Sequence, residues 1–547
     1  MKLHRNLVFA TIDSLHLIFN ENKQADKVLK STLKLDKRWG ARDRGFIAET
    51  TYDIVRWKRL YAEIAEVKEP FDRPKLFRLF TVWATLKGIN IPDWKQFEDT
   101  PTRRIKGRFD ELSKIRKFRE SLPDWLDELG AKELGKKWDA EIAALNQLAD
   151  VVLRVNTLKT TVEQVQHELA DLDIETETIK GSPSALKLKE RANVFVTDAF
   201  KNGFFEVQDA SSQRVAEVLD AQPGERIIDA CAGAGGKSLH IATMMENKGQ
   251  LIAMDIYEKK LIELKRRARR NDIFNIETRV IDSTKVIKKL INKADRVLID
   301  APCSGLGVLK RNPDAKWKMQ PGFLDSIRTT QKEILDSYSR MVRPGGKLVY
   351  ATCSILPSEN ELQIKDFLGR EAGKDFSLVM EEKILPSKSG FDGFYISLLE
   401  KKEEDLLERG LKGNKTEGKQ DAVKIGLKGD KTEEKQDVVK IGLKGDKTEG
   451  KQDVVKIGLK GDKTEEKQDP VKMAPKVSKT KAKKDTTITG PKGDKTKVKA
   501  DATKIVPKVS KTKAKEGTTK IAPKVSKTKA KEGTAKIKPK VKKTKGK

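Results

Sequence analysis

Two cysteines follow predicted strands at matching positions and could do chemistry together. Cys303 lies in PCSG, just after the apolar run at 295–300, and Cys353 lies in TCS, at the end of the run at 347–352. Neighbouring strands of a parallel sheet lie about 4.8 Å apart, and their carboxyl ends border the crevice where such sheets bind ligands. If the two strands are neighbours, both thiols reach one crevice and could supply a nucleophile. The alternative is that both are buried small hydrophobic residues, as free cysteines often are.

A glycine-rich turn, DACAGAGGKS, begins at Asp229 and suggests what the crevice binds. A phosphate-binding loop requires a glycine five residues before Gly236, where Cys231 stands, and a dinucleotide fingerprint requires a glycine where Ser238 stands. What remains is a glycine turn, a helix amino terminus that favours a carboxylate, and Asp255 after the next apolar run, which suits ribose hydroxyls. A nucleoside that carries a carboxylate, such as S-adenosylmethionine, meets these requirements. A plain glycine-rich connection is the alternative.

The elements that would position these residues alternate between short apolar runs and helical patterns from Phe205 onward. Such alternation predicts a mostly parallel sheet with helices on both faces. The predicted strands are 226–229, 250–256, 277–282, 295–300, 347–352 and 394–400.

The part before residue 205 has a different pattern. From Arg5 to about Trp138 the apolar residues recur every three or four positions, which predicts a small all-helical domain. Residues 151–156 then predict a strand and residues 161–172 an amphipathic helix, and two further short strands follow in ETETIK and ALKLK. This pattern indicates a compact α/β unit.

The net charge of +31 comes mainly from the last quarter of the chain. The segment from Leu411 to Lys547 contains 42 lysines against 18 acidic residues, a net charge of +24. A block of like charge with almost no aromatic residues cannot bury enough apolar surface to offset its ordering entropy, so we expect disorder. The segment repeats with a period of 16, and we interpret it as a low-complexity arm rather than a solenoid because each unit has few apolar residues.

Cysteine usage and hydropathy narrow the class of protein. The chain has three cysteines, widely spaced and without a CxxC pair, which argues against a disulfide framework and a zinc site and fits a reducing compartment. No run of 18 or more apolar residues occurs, and the amino-terminal LVFATIDSLHLIF is interrupted by Asp13 and His16. We therefore expect a cytoplasmic protein with no membrane span and no metal.

From Met1 to about Lys401 the chain resembles the RsmB/Nop/Sun family of RNA cytosine-C5 methyltransferases. The resemblance rests on QDASSQ, DACAGAGGK, DAPCSGLG, KRNPDAKW, ATCSILPSENE and DGFYISLLEK. It implies a Rossmann-like class I methyltransferase core within an α/β fold. The implied domains are a helical NusB-like domain at 1–140, a small α/β linking domain at 141–204, the methyltransferase domain at 205–402 and a disordered tail at 403–547. One departure is Ala234, which stands where family members often have proline.

The resemblance also implies roles for individual residues. Cys353 would be the nucleophile, Cys303 would assist product release, and Asp300 would contact the cytosine edge or the cofactor amine. The implied cofactor is S-adenosylmethionine, and its implied contacts are Cys231, Ala232, Gly233, Ala234, Gly235, Gly236, Lys237, Asp255, Asp282 and Asp300. The implied partner is RNA, with small-subunit ribosomal RNA as the leading candidate, and we expect a monomer.

Several alternatives stay open at the level of sequence. Asp300 could be an ordinary turn carboxylate, and Lys237 could either orient the cofactor carboxylate or cap the loop. Lys310, Arg311 and Lys316 could meet phosphates or belong to a solvated loop. The whole chain could be a noncatalytic RNA-binding or assembly factor, although the presence of both cysteines speaks against this.

Overall fold

The computed structural model of this chain describes residues 2–98 and 102–403. The predicted lysine-rich arm at 403–547 lies outside the described residues except for its first position. Among the helices of the described ranges, none combines the length and apolar composition needed to cross a membrane.

The amino-terminal part is helical, as the three- and four-residue spacing predicts. Its helices are α1 Arg5–Phe19, α2 Ala25–Thr32, α3 Ala41–Arg56, α4 Lys58–Ala65, α5 Arg73–Leu86, α6 Thr102–Leu112, α7 Arg116–Arg119, α8 Asp124–Leu134 and α9 Trp138–Leu145. The α1 residues Val8, Ile12 and Leu15 are completely buried, because this spacing puts them on one face of the helix. The Asp72 side chain accepts a hydrogen bond from the Lys75 backbone N–H and thereby caps the start of α5.

A small antiparallel sheet follows. Its elements are β1 Val152–Val155, α10 Val162–Ala170, β2 Thr176–Ile179, β3 Ser182–Leu188, α11 Asp198–Lys201 and β4 Phe205–Val207. The strand order is β2-β3-β1-β4, so the sheet continues three residues beyond the expected boundary at residue 204. The Thr161 hydroxyl accepts from the Gln164 backbone N–H at 3.2 Å and caps α10.

The largest sheet has seven strands in the order β10-β11-β9-β8-β5-β6-β7. These strands are β5 Arg226–Asp229, β6 Gln250–Asp255, β7 Ile276–Val280, β8 Ala294–Asp300, β9 Val342–Thr352, β10 Phe376–Ile384 and β11 Phe394–Lys401. Its helices are α12 Ala210–Leu219, α13 Gly236–Met244, α14 Glu258–Arg270, α15 Thr284–Lys288, α16 Ala315–Lys318, α17 Pro321–Tyr338, α18 Glu361–Leu368 and α19 Pro386–Ser389. The five strands from β7 to β9 are parallel, and β10 and β11 are antiparallel additions. The predicted Rossmann-like α/β core is confirmed.

The sheet topology determines where a site can form. The chain leaves β5 toward β6 on one side and returns to β8 on the other, so a crevice opens beyond the carboxyl ends of these strands. β8 pairs directly with β9, and Asp300 lies opposite Ala351. The two cysteine segments therefore leave neighbouring strands, as the sequence predicts.

Candidate active site

A cavity of about 730 Å³ opens at the carboxyl ends of β5, β6, β8 and β9. Most of the predicted site residues line it: Cys231, Ala232, Gly233, Ala234, Gly236, Lys237, Asp255, Asp300, Cys303 and Cys353. Gly235 contributes to the turn without lining the cavity, and Asp282 is exposed while its neighbour Ile281 lines the cavity. The structure thus brings together all the predicted site residues except Asp282.

The glycine turn lies between β5 and α13 and needs its glycines. Gly233 and Gly235 have φ angles of 56° and 88°, in the left-handed region that side chains disfavour. A Cβ on Gly235 would also lie 2.5 Å from Cγ of Leu264. Asp255 fixes the turn to the end of β6, because its Oδ2 accepts from the Gly233 N–H at 2.9 Å.

Asp229 holds the start of the same turn from inside the fold. It is 1% exposed, its Oδ2 accepts from the Ser238 hydroxyl at 2.6 Å, and its Oδ1 accepts from the Cys231 N–H at 3.4 Å. Burial raises the pKa of the Asp229 carboxyl to about 7, although the hydrogen bond from Ser238 opposes the shift. Burial also raises the pKa of the Cys231 thiol, and Asp229 adds to this effect. Cys231 therefore stays protonated and lines the cavity as a neutral group.

Lys237 and Asp300 form an ion pair across the cavity floor. Nζ of Lys237 lies 2.8 Å from Oδ2 of Asp300, and it also lies 5.1 Å from the ring centroid of Phe394. Burial disfavours the charge of Lys237, but Asp300 outweighs burial and raises the pKa of the ammonium. Both charges are therefore held at the wall of the cavity.

The two cysteine sulfurs are in contact. Sγ of Cys303 lies 3.3 Å from Sγ of Cys353, and both residues line the cavity. The hydrogen bond with Cys353, together with burial, raises the pKa of the Cys303 thiol well above its ordinary value. Either thiol can donate this hydrogen bond, and the raised pKa keeps the Cys303 thiol protonated.

A cluster of two carboxylates and one guanidinium, which sequence reasoning missed, lies on the same cavity wall. Arg311 donates to Oδ2 of Asp209 and to Oδ2 of Asp392, each at 2.6 Å. Burial and the neighbouring Asp209 raise the pKa of Asp392 to about 6, against the effect of Arg311. Asp209 and Asp392 lie within two of the quoted motifs, QDASSQ and DGFYISLLEK, but no spacing between them indicates that they meet.

The solvated-loop interpretation of Lys310 and Lys316 is wrong for this structure because both are buried, whereas phosphate contact by Arg311 stays a prediction. Lys310 is 5% exposed and Lys316 is 1% exposed, and Arg311 is ion-paired in the cavity wall. Lys316 donates to the Glu120 carbonyl at 3.3 Å and to Oδ1 of Asn146 at 3.2 Å.

The loop that carries these residues packs on the amino-terminal helices. The Trp317 indole N–H donates to the Val55 carbonyl at 2.7 Å, and Arg56 donates to the Lys310 carbonyl at 2.8 Å. The loop is therefore an interior connection between the helical part and the cavity wall. Because the contacting helices lie far away in the sequence, local residue patterns did not indicate that this segment is buried.

Two family models match this chain. Residues 216–400 match the domain described as 16S rRNA methyltransferase RsmB/F. Residues 122–195 match a ferredoxin-like domain of RsmF/B-like methyltransferases.

Individual relatives agree with these matches. The chain is 39% identical over 251 residues to a probable ribosomal RNA small subunit methyltransferase B of Synechocystis, with 45% of this chain and 56% of the relative covered. It is 32% identical over 338 residues to a Bacillus subtilis protein of the same name, with 59% of this chain and 73% of the relative covered. The crystal structure of PH0851 superimposes with a TM-score of 0.63 at 28% identity, covering 73% of this chain and 100% of that one.

The matched segment thus spans between about half and three quarters of these curated relatives. The motifs around Cys303 and Cys353, the sheet order and the matched models agree with one another. This chain belongs to the RsmB/F family of methyltransferases.

Proposed function

We propose that this protein is an S-adenosylmethionine-dependent methyltransferase that forms 5-methylcytosine in small-subunit ribosomal RNA. The names of the matched family and of the relatives support the RNA substrate. The observation that carries the chemistry is the contact of 3.3 Å between Cys303 and Cys353 at a cavity bordered by the glycine turn.

The cavity suits S-adenosylmethionine. The glycine turn before α13 removes side chains where a ligand must approach the backbone, and free N–H groups at a helix start favour a carboxylate. Lys237 and Asp255 line the same wall and would contact the carboxylate and the ribose hydroxyls, respectively. When bound, S-adenosylmethionine supplies the methyl group that cytosine C5 accepts.

Cys353 is the nucleophile in this proposal. C5 of cytosine is a poor nucleophile, and covalent addition splits a difficult step into easier ones. The Cys353 sulfur bonds to C6 and pushes electron density to C5, which then takes the methyl group. A base takes the C5 proton, and the electrons of the C5–H bond form the C5–C6 double bond and expel the sulfur from C6, which releases 5-methylcytosine and returns the thiolate.

Cys303 assists the release step. Its sulfur lies beside the atom that leaves, and its raised pKa keeps a proton next to Cys353. Asp300 lies on the same wall and is our candidate contact for the cytosine amidine edge. A base inside a duplex hides its C6 edge, so the target cytosine must be unpaired or flipped out.

Bisulfite sequencing of ribosomal RNA tests this proposal. Cells without the gene should lose one or more methylated cytosines, and wild-type protein should restore them whereas Cys353→Ala should not. In purified reactions Cys303→Ala should accumulate a covalent protein–RNA species that Cys353→Ala never forms. A crosslink formed by Cys353→Ala would reverse the two roles. Specific RNA binding without methyl transfer would favour the noncatalytic alternative.

A further inference from the structure

A buried carboxylate connects the two cysteine turns behind the cavity. Glu359 lies in the 3-10 turn Pro357–Glu359, between β9 and α18, and is completely buried. Its Oε1 accepts from the hydroxyls of Ser304 and Ser354, each at 2.6 Å. These two serines directly follow Cys303 and Cys353. One oxygen atom therefore connects the residues next to both sulfurs.

The two turns are held in the same way. The Ser304 hydroxyl accepts from the Leu306 N–H at 3.3 Å, and the Ser354 hydroxyl accepts from the Leu356 N–H at 3.2 Å. Each serine thus donates to Glu359 and closes its own turn, a local pattern that fixes loop backbone.

The second oxygen of Glu359 fixes the backbone of the Cys303 turn. Its Oε2 accepts from the Ser304 N–H at 2.7 Å and from Nε2 of Gln331 at 3.2 Å. The same Gln331 amide nitrogen donates to the Pro302 carbonyl at 2.9 Å, on the other side of Cys303. Removing the carboxylate would leave these buried donors without their acceptor.

From this network we infer that Glu359 is a positioning residue, which keeps the sulfurs of Cys303 and Cys353 in register for the reaction. The inference rests on the proposed function for its catalytic meaning, whereas the placement of the sulfurs can be measured independently. Displacing a reacting group by about 1 Å can lower a rate by roughly 100-fold, so the loss of a shared anchor should affect the chemical step.

The first test compares Glu359→Gln with Glu361→Gln. Glu361 is two residues away, and its ion pair with Lys383 lies outside the network. We expect Glu359→Gln to form the covalent RNA adduct about tenfold more slowly in single-turnover reactions in the Cys303→Ala background. RNA affinity should change less than twofold, and Glu361→Gln should match the parent. Rates are compared at equal margins below each melting temperature, so that reduced stability is not mistaken for misplacement.

The second test measures sulfur placement without RNA. Diamide accepts two electrons and two protons as it joins Cys303 and Cys353 in a disulfide, for which the sulfurs must approach to about 2.05 Å. Glu359→Gln should slow this reaction at least tenfold relative to Glu361→Gln. The double variant Ser304→Ala with Ser354→Ala should slow it as well, and adding Glu359→Gln to that variant should have little further effect because all three residues act in one network.

The outcomes separate the two proposals. If Glu359→Gln matches Glu361→Gln in both adduct rate and disulfide rate, the positioning role is overturned, even if its melting temperature is lower. If wild-type protein forms no disulfide, the sulfur contact itself is contradicted. If Cys353→Ala still methylates RNA, the proposed function is wrong, and the disulfide comparison still decides the role of Glu359.

Discussion

Lys237, in the first turn of α13, forms an ion pair with Asp300, the last residue of β8, and the two atoms are 2.8 Å apart. The pair connects the glycine turn to the strand that leads to Cys303. Their side chains are 11% and 30% exposed, so the pair is largely shielded from water.

The first prediction concerns this ion pair. Lys237→Met leaves the Asp300 carboxylate without its partner and should lower the free energy of unfolding by roughly 2–4 kcal/mol, less than for a fully buried pair because the Asp300 side chain is 30% exposed. Asp300→Asn should be destabilising alone but should recover part of the loss in the Lys237→Met background. Urea unfolding of the double-mutant cycle measures the coupling, and strictly additive effects would contradict a direct interaction.

The second prediction concerns close backbone packing beside Cys353. The Gly307 N–H donates to the Cys353 carbonyl at 2.9 Å, and the Gly307 carbonyl accepts from the Gly393 N–H at 2.8 Å. A Cβ on Gly307 would lie 2.1 Å from the Gly393 oxygen, so Gly307→Ala must displace one of these segments. We expect a loss of about 1–3 kcal/mol in stability and a lower methylation rate.

Gly322→Ala is the matched control, because a Cβ there meets no atom within 4 Å and the residue lies in α17. It should be neutral or stabilise the protein by up to about 1 kcal/mol. Thermal melts and methylation assays of the two variants give the comparison, and equal behaviour would refute the packing argument.

The third prediction is a pH dependence at Asp229. Its pKa is raised from 3.8 to about 7, mainly by burial, so the folded protein holds a proton that the unfolded chain releases above pH 4. This contribution to stability is present below pH 4 and is lost as the pH rises through 7. Asp229→Asn keeps the shape and removes the titration, so its stability relative to wild type should rise by at most about 4 kcal/mol from pH 4 to pH 8. Denaturant melts across this range measure the change, and a constant difference would contradict the raised pKa.

The fourth prediction concerns Lys316, whose pKa is lowered well below 10.5 by burial and by the nearby Arg56. The unfolded chain holds this proton more tightly, so the favourable contribution is present at high pH and is lost as the pH falls through the lowered pKa. Lys316→Met should therefore gain stability relative to wild type as the pH is lowered from about 10 toward neutrality. A relative stability of Lys316→Met that falls with decreasing pH would contradict the assignment.

The fifth prediction concerns the arm from 411 to 547, with its net charge of +24. Lysines that neutralise phosphates release counterions, so RNA affinity should fall with salt, with a slope of about 0.7 per phosphate contact on single strands. Deleting the arm should make this slope shallower by several units while the methylation rate at saturating RNA stays unchanged. Binding isotherms at several salt concentrations measure the slope, and identical slopes would exclude an RNA-binding role for the arm.

Local patterns predicted much of the fold and of the site. The six predicted strands of the main sheet are all present, and β5, β6, β8 and β9 were evident because buried parallel strands appear as continuous apolar runs. β10 was missed because it is a sheet edge whose residues are mostly exposed, so Phe376–Ile384 mixes apolar and charged side chains. β4 was missed because a strand of three residues carries no clear period.

Contacts between distant segments escaped prediction for a different reason. Asp209 and Asp392 are 183 positions apart, and they meet because Arg311 donates to both carboxylates and the Asp392 N–H donates to Oδ1 of Asp209. Glu359 lies in one of the motifs quoted above, but one of the hydrogen bonds that it accepts comes from Ser304, 55 residues earlier in the chain. The spacing of residues in the sequence predicts which face of a helix or strand a side chain lies on. Which side chains donate hydrogen bonds to the same acceptor depends on the tertiary structure.

The interior course of the loop around Trp317 has a consequence for dissecting the protein. One side of that segment contributes Arg311 to the cavity, and the other side contacts the carbonyls of Val55 and Glu120 and the side chain of Asn146 in the amino-terminal part. An excised fragment that starts near residue 205 would retain every strand of the large sheet and both sulfurs. It would lose the contacts that Lys316 and Trp317 make with the amino-terminal part, so one wall of its cavity would be unsupported. The amino-terminal helices thus support one wall of the candidate active site, although they lie outside the large sheet.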